Sequence, residues 1–305
     1  MKIKTLLVVA GIAYFILPGC KGSGDAIDFK FNVPKGTKFS YTVGMNMGMD
    51  QAVMGQSMKV ASKITIAYLF EVLDDSAGGW KKIRTTISRF GMQMNANGME
   101  MNFDTDTPSE DTTGPMAQVG KIFGALKGGQ FVFTMNGDGK IGEITGIREM
   151  TDKIIAGMTS VDTSVARTSL DKAFNEENFK QNLQQSFAMY PGKPVKPGDS
   201  WSKSIEMNSN GMPMKLDNTY TLKSVEGDSI KVDVVSKITA GGSAMMQGMN
   251  LDITGDMKGI NTFDKATGMP TSGDDNMKMD MKMKMQGQEV PMKMDIKVEI
   301  TGKKL

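Results

Sequence analysis

No histidine occurs in this chain, and it has a single cysteine, Cys20. The first absence removes the usual imidazole chemistry. Ser-His-Asp hydrolysis, Cys-His catalysis and most zinc sites need a ring that switches charge or binds metal near neutral pH. A lone cysteine leaves no internal disulfide. Net charge is scarce too, with 36 Lys and Arg against 34 Asp and Glu. A balanced surface with no Lys/Arg cluster offers no footprint for nucleic acid and little attraction to anionic lipid. Aromatics are few, 14 Phe, 5 Tyr and 2 Trp, and are not interleaved with basic residues as in a nucleic-acid platform. No catalytic motif is present, and an enzyme would have to run on carboxylates, lysine, serine or tyrosine. A carboxylate-based hydrolase is one alternative reading, although the spacing of a working carboxylate pair cannot be read from sequence.

What is present begins at the N-terminus. Lys2 and Lys4 precede the apolar run Leu6 to Leu17, and Pro18-Gly19-Cys20 closes it. This is the pattern of a secretory signal, too short to span a membrane stably. The stretch before Cys20 resembles a bacterial lipobox, whose cysteine becomes the acylated first residue of a mature lipoprotein. That resemblance implies a signal peptide over residues 1–19, lipidation at Cys20 and a tether over 20–30. It places the exported chain in the cell envelope, on the periplasmic side of the inner or outer membrane. Acyl chains, at about 0.8 kcal/mol per buried methylene, hold such a protein without a polybasic patch.

Beyond the tether the hydrophobic period changes twice. Residues 31–106 alternate as strands do: Phe39, Tyr41, Val43, Met45, Met47 and Met49 share one face, and Met58 through Val72 repeat the pattern. Residues 107–194 read as a helical middle. One stretch starts at Pro115, a second carries Ile147, Met150 and Ile154, a third carries Phe179, Leu183 and Phe187, and a hairpin turns at Asn136-Gly137-Asp138-Gly139. That turn has the glycine spacing of a calcium loop, but Thr134 and Thr145 stand where anchoring carboxylates are needed, so it reads as a plain turn. Residues 195–305 return to strands. Their opening, Val195 to Ser202, echoes Val33 to Ser40 at an offset of 162, which places Met207 against Met45 and predicts an internal duplication. The fold expected is α+β and predominantly antiparallel: two related β-meanders in curved sheets, about ten to twelve strands in all, covered by helices of the middle segment.

Thirty methionines are the compositional oddity. Most lie at alternate strand positions, most clearly at 277, 279, 281, 283 and 285, continuing after a turn through Met292 and Met294. If Met285 sits opposite Met292, Lys282 faces Asp295, Asp280 faces Lys297 and Lys278 faces Glu299, a charge ladder on the wet face. The Met face is then core packing or a deformable groove for an apolar ligand, since methionine adapts to varied partners. Met45, Met47, Met207, Met279, Met281, Met283 and Met294 are the residues that would line it. The rival is a periplasmic copper(I) site, because thioethers are soft ligands and Met-x-Met puts two of them on one side of a strand.

The start at Cys20, the Gly139-Lys140-Ile141 hairpin, Pro194-Val195 leading into Pro197-Gly198-Asp199-Ser200-Trp201, and Thr267-Gly268 carry a resemblance of their own. Together they resemble an uncharacterised family of secreted lipoproteins of the kind found in Bacteroidota. The resemblance implies a β-rich extracytoplasmic domain without a known activity. The expected role is non-catalytic binding or scaffolding, with no cofactor and no metal. The expected partners are the membrane, through the lipid, and an apolar small molecule or lipid; no nucleic acid is expected, and a protein partner is left unnamed.

Overall fold

The computed structural model describes residues 25–53, 56–107, 123–156, 167, 171, 176–209, 212–240, 244–246, 249–285 and 288–305. The signal, Cys20 and residues 115–122 of the stretch that starts at Pro115 lie outside them. In chain order the strands are β1 (Lys38–Val53), β2 (Gln56–Ser76), β3 (Trp80–Ala96), β4 (Met99–Asp104), β5 (Gln130–Met135) and β6 (Ile141–Thr145), followed by β7 (Ser200–Ser209), β8 (Met212–Glu226), β9 (Ser229–Ala240), β10 (Ala244–Met246), β11 (Met249–Asp264), β12 (Pro270–Met285) and β13 (Gln288–Lys304). Two helices lie between β6 and β7 among the described residues, α1 (Ile147–Ala156) and α2 (Glu176–Phe187).

All 13 strands join one sheet, in the order β6-β5-β3-β2-β1-β13-β12-β11-β9-β8-β7, with β4 beside β3 and β10 beside β11. Every pairing is antiparallel. The two meanders are therefore not separate layers. The last strand pairs with the first, Val43 opposite Ile300 and Met47 opposite Ile296, and fuses them.

This overturns the α+β expectation of sheets covered by helices, and length is the reason. Strands of 16 to 21 residues run about 50–70 Å at roughly 3.3 Å per residue. A helix of 12 residues spans about 18 Å. The helices reach one end of the sheet and leave the rest to the sheet itself.

At the covered end the sheet is rolled. Phe131, Phe133, Ile141 and Ile144, from one end of the strand path, share a single buried cluster with Trp201, from the other. Laid flat, ends so far apart would stand about 45–50 Å from each other at roughly 4.8 Å per strand. Helix α2 and the residues after it bridge them. The Phe187 ring lies 5.9 Å from Phe133, the Gln184 side chain accepts from Ile141 N and donates to Gly139 O, and Trp201 Nε1 donates to Met189 O. The N-terminal segment plugs the same end. Ile27 bridges Val195, and the Phe29 ring meets Tyr190, Trp201 and Phe263. The stretch expected as a tether is thus held in the core from Ile27 onward.

The two strand starts that match in sequence also match in hydrogen bonding. Gly36 N donates to Val72 O and Val72 N to Thr37 O; Gly198 N donates to Leu222 O and Leu222 N to Asp199 O. Phe39 stands opposite Phe70 as Trp201 stands opposite Tyr220.

Candidate functional site

Side chains alternate across a strand, so register fixes which residues share the inner face, the side that carries the core. One row across it runs Met94, Ser62, Met47, Ile296, Met277, Met257, Ser236 and Asn218. The next row outward holds Met49, Met294 and Met279 side by side on three adjacent strands. Beyond it Met281 stands opposite Met292, and Met283 opposite Val290.

The seven expected methionines all lie at inner-face register positions. Met281 is buried, while Met45, Met47, Met279, Met283 and Met294 are half-buried. Met279, Met281, Met283 and Met294 form one cluster with Ile253, Ala240 and Met292. Met207 is paired with Met214, and Met214 with Ala240 at the edge of that cluster. Met45 and Met47 lie nearer the covered end, beside Val298 and Ile296.

The expected register of β12 and β13 is corrected by four residues. Met285 pairs with Gln288, so Lys278 faces Asp295, Asp280 faces Lys293 and Lys284 faces Glu289. A shift by an even number keeps every side chain on its face. The charge ladder survives with different partners, and the one like-charged pair, Asp274 opposite Glu299, is bridged by Lys297. A groove of about 610 Å³ opens on this wet side, its polar lining including Asn46, Lys63, Gln93, Asn102 and Lys297.

One inner-face residue escaped sequence reasoning. Asp275 lies in phase with Met277 and Met279, in a row with Met45, Val298, Gly259 and Val234. Its carboxyl leans over Gly259, where a Cβ would stand 1.7 Å from Oδ1. Asn261 leans over Gly273 in the same manner and donates to Asp275 Oδ1 at 3.1 Å. Glycine at both positions is what leaves room for this crossed pair. Burial pushes the Asp275 carboxyl up to about 6, with the Asn261 amide opposing the rise and the Asp274 charge adding to it. Tyr41 and Tyr220, raised chiefly by burial, also respond to the Asp275 charge. Tyr41 and Tyr68 both pack on Phe70.

No group of three or more His, Cys, Asp or Glu side chains is placed to hold a metal ion among the described residues. Beside Asp275 there is no second carboxylate on the inner face among them, since Asp274 belongs to the other face. The calcium-like turn is closed by its own asparagine: Asn136 Oδ1 accepts from Asp138 N and Lys140 N.

A family model matches residues 78–270, that of DUF6263, a family of unknown function. The chain belongs to that family. No curated protein matches the sequence. Among solved structures, an outer membrane channel from Pseudomonas putida F1 is similar at 7% identity, covering 92% of this chain and 100% of its own, with a TM-score of 0.25. The translocator domain of the autotransporter NalP from Neisseria meningitidis is similar at 7% identity, over 88% of this chain and 89% of its own, with a TM-score of 0.22. A DUF1329 family protein from Desulfovibrio piger shares 9% identity over 85% of this chain and 84% of its own, with a TM-score of 0.13. Overlaps at that level identify no common fold.

Proposed function

We propose that this DUF6263 protein is an envelope lipoprotein, anchored through Cys20, that holds an apolar ligand against its inner-face methionines. The observation that carries the reading is the row of half-buried methionines beyond the reach of the helices. Met47, Met279, Met283 and Met294 lie on a face that the sheet covers only in part. Unbranched thioether side chains re-pack around ligands of varied shape. The test is native mass spectrometry of the chain from residue 21 onward, secreted to the periplasm behind a cleavable signal. A co-purifying lipid-sized mass that disappears in Met279→Glu and Met294→Glu, with the fold kept by circular dichroism, supports a carrier or sensor. Bare protein that also ignores added phospholipid and fatty alcohol sinks it.

A second reading is favoured by one arrangement. Met49, Met294 and Met279 stand next to one another across three strands, which suits a soft ion such as copper(I). Leucine at 279 and 294 separates the two readings. It preserves an apolar surface for a ligand and removes the sulfur a metal needs.

A further inference from the structure

Asp275 adds to the apolar-ligand reading, on which this inference rests, by specifying the charge of the ligand's head. It is a carboxyl group on a face built mainly from methionine, aliphatic and aromatic side chains, and no basic group is among those that act on it. Gly273 and Met277 flank it on β12. Across it, β13 offers Val298 and β11 offers Gly259 and Asn261. From β1 and β8 the groups within its electrostatic reach are the phenols of Tyr41 and Tyr220, and from the opposite face of β12 the like charge of Asp274. Lysines stand at inner-face register positions elsewhere, Lys81 opposite Met135, Lys203 opposite Asn218 and Lys304 opposite Phe39, and none of the three is in the row of Asp275.

Of the two carboxyl oxygens, Oδ1 receives the Asn261 amide, and Oδ2 has no hydrogen-bond partner among the described residues. The hydroxyls of Tyr41 and Tyr68 have none either. An unpaired carboxylate here is costly unless something brings a counter-charge. Gly259 and Gly273 hold it in place at a further cost, since glycine weakens a strand interior. A group kept against stability in a half-open apolar face is a binding-site candidate.

We propose that the inner face takes a cationic amphiphile, its positive head at the Asp275 carboxylate near Tyr41 and Tyr220 and its tail over Met277, Met279 and Met294. The carboxylate supplies the counter-charge, and aromatic ring faces attract a cation that has shed water. The same chemistry disfavours an anionic head: a fatty-acid carboxylate would meet a like charge with no lysine or arginine to offset it. Because Asp275 must be ionised to act, cation binding strengthens as pH rises through about 6.

The test uses three probes with one tail and different heads: dodecyltrimethylammonium, dodecanol and dodecanoate. Each displaces an apolar fluorescent dye from the chain beginning at residue 21. The expected result at pH 7.5 is binding of the ammonium about tenfold tighter than the alcohol and of the carboxylate weaker than both. That preference should fade toward pH 5 and vanish in Asp275→Asn, a variant of the same shape that keeps one carbonyl oxygen for Asn261. Thermal melting checks that the variant is folded. If the alcohol binds but the ammonium shows no advantage, or keeps it in Asp275→Asn, the head-group assignment is wrong and the apolar face stands. If none of the three displaces the dye, both readings fall.

Discussion

At the scale of single residues, Asp275 makes stability depend on pH in an unusual direction. Its carboxyl rises from 3.8 to about 6 on folding, so the folded state holds the proton more tightly than the unfolded chain. That contribution is fully present below the unfolded value and is lost as pH rises from about 4 to about 6, amounting to about 2–3 kcal/mol. Asp74, Asp104 and Glu226 are shifted down by hydrogen bonds and charges of Lys35, Arg89 and Lys231 and push the other way, so the informative quantity is a difference. Urea unfolding of Asp275→Asn and of the parent should give similar stability near pH 4 and an advantage for the variant that grows from about pH 4 to about 6 and stays level above that. A constant difference across that range would show that Asp275 titrates normally. This residue was partly legible in the sequence. Its odd number keeps the phase of Met277 to Met285, but Asp274-Asp275-Asn276 reads as turn chemistry, and burial of a carboxylate leaves no mark on a hydrophobic pattern.

At the scale of elements, the strands were legible and their register was not. Alternation over Phe39 to Met49 and Met277 to Met285 places those residues on the inner face, as found. Yet sliding β13 by four along β12 trades one set of opposite-charge pairs for another, so charge complementarity could not choose between them. The observed register is open to direct test. Asp280→Lys alone should place two lysines opposite each other and cost about 0.2–1 kcal/mol, and adding Lys293→Asp should restore most of it. The register first expected predicts no rescue, since it puts Lys297 opposite Asp280. Helix α2 is held to the β5–β6 hairpin by the rings of Phe179 and Phe187 against Phe131 and Phe133 and by the two hydrogen bonds of Gln184. Gln184→Ala leaves Ile141 N and Gly139 O without that partner and should lower stability by about 1–3 kcal/mol, measured by thermal unfolding. The helix itself was foreseeable from the spacing of Phe179, Leu183 and Phe187; its docking glutamine was not, because a polar residue on an amphipathic helix reads as solvated.

At the scale of the whole molecule, the decisive pairing is the one local patterns cannot carry. Strands β1 and β13 are adjacent in space and at opposite ends of the described chain. Recognising two meanders from the 162-residue echo said nothing of how they would join, and the expectation of a helical cover failed on the length of the strands. The anchoring proposal belongs to this scale too. In detergent phase separation, the protein made with Cys20 should enter the detergent phase, and the same chain beginning at residue 21 should stay in water. Equal partitioning of the two would remove the lipid anchor from the account.

The outward side of the sheet bears on the same experiment. Barrels that live in a bilayer turn an apolar belt about 25 Å tall to the lipid and keep polar groups within. In this DUF6263 member the order is reversed: Lys59, Lys63, Asp280, Lys293 and Asp295 face outward and are exposed, and the methionines face in. A hydrocarbon environment would have to strip water from ionised groups on strand after strand. A wall of that kind stays wet, and an apolar ligand held within it, as proposed, would be shielded by charged strands rather than by lipid.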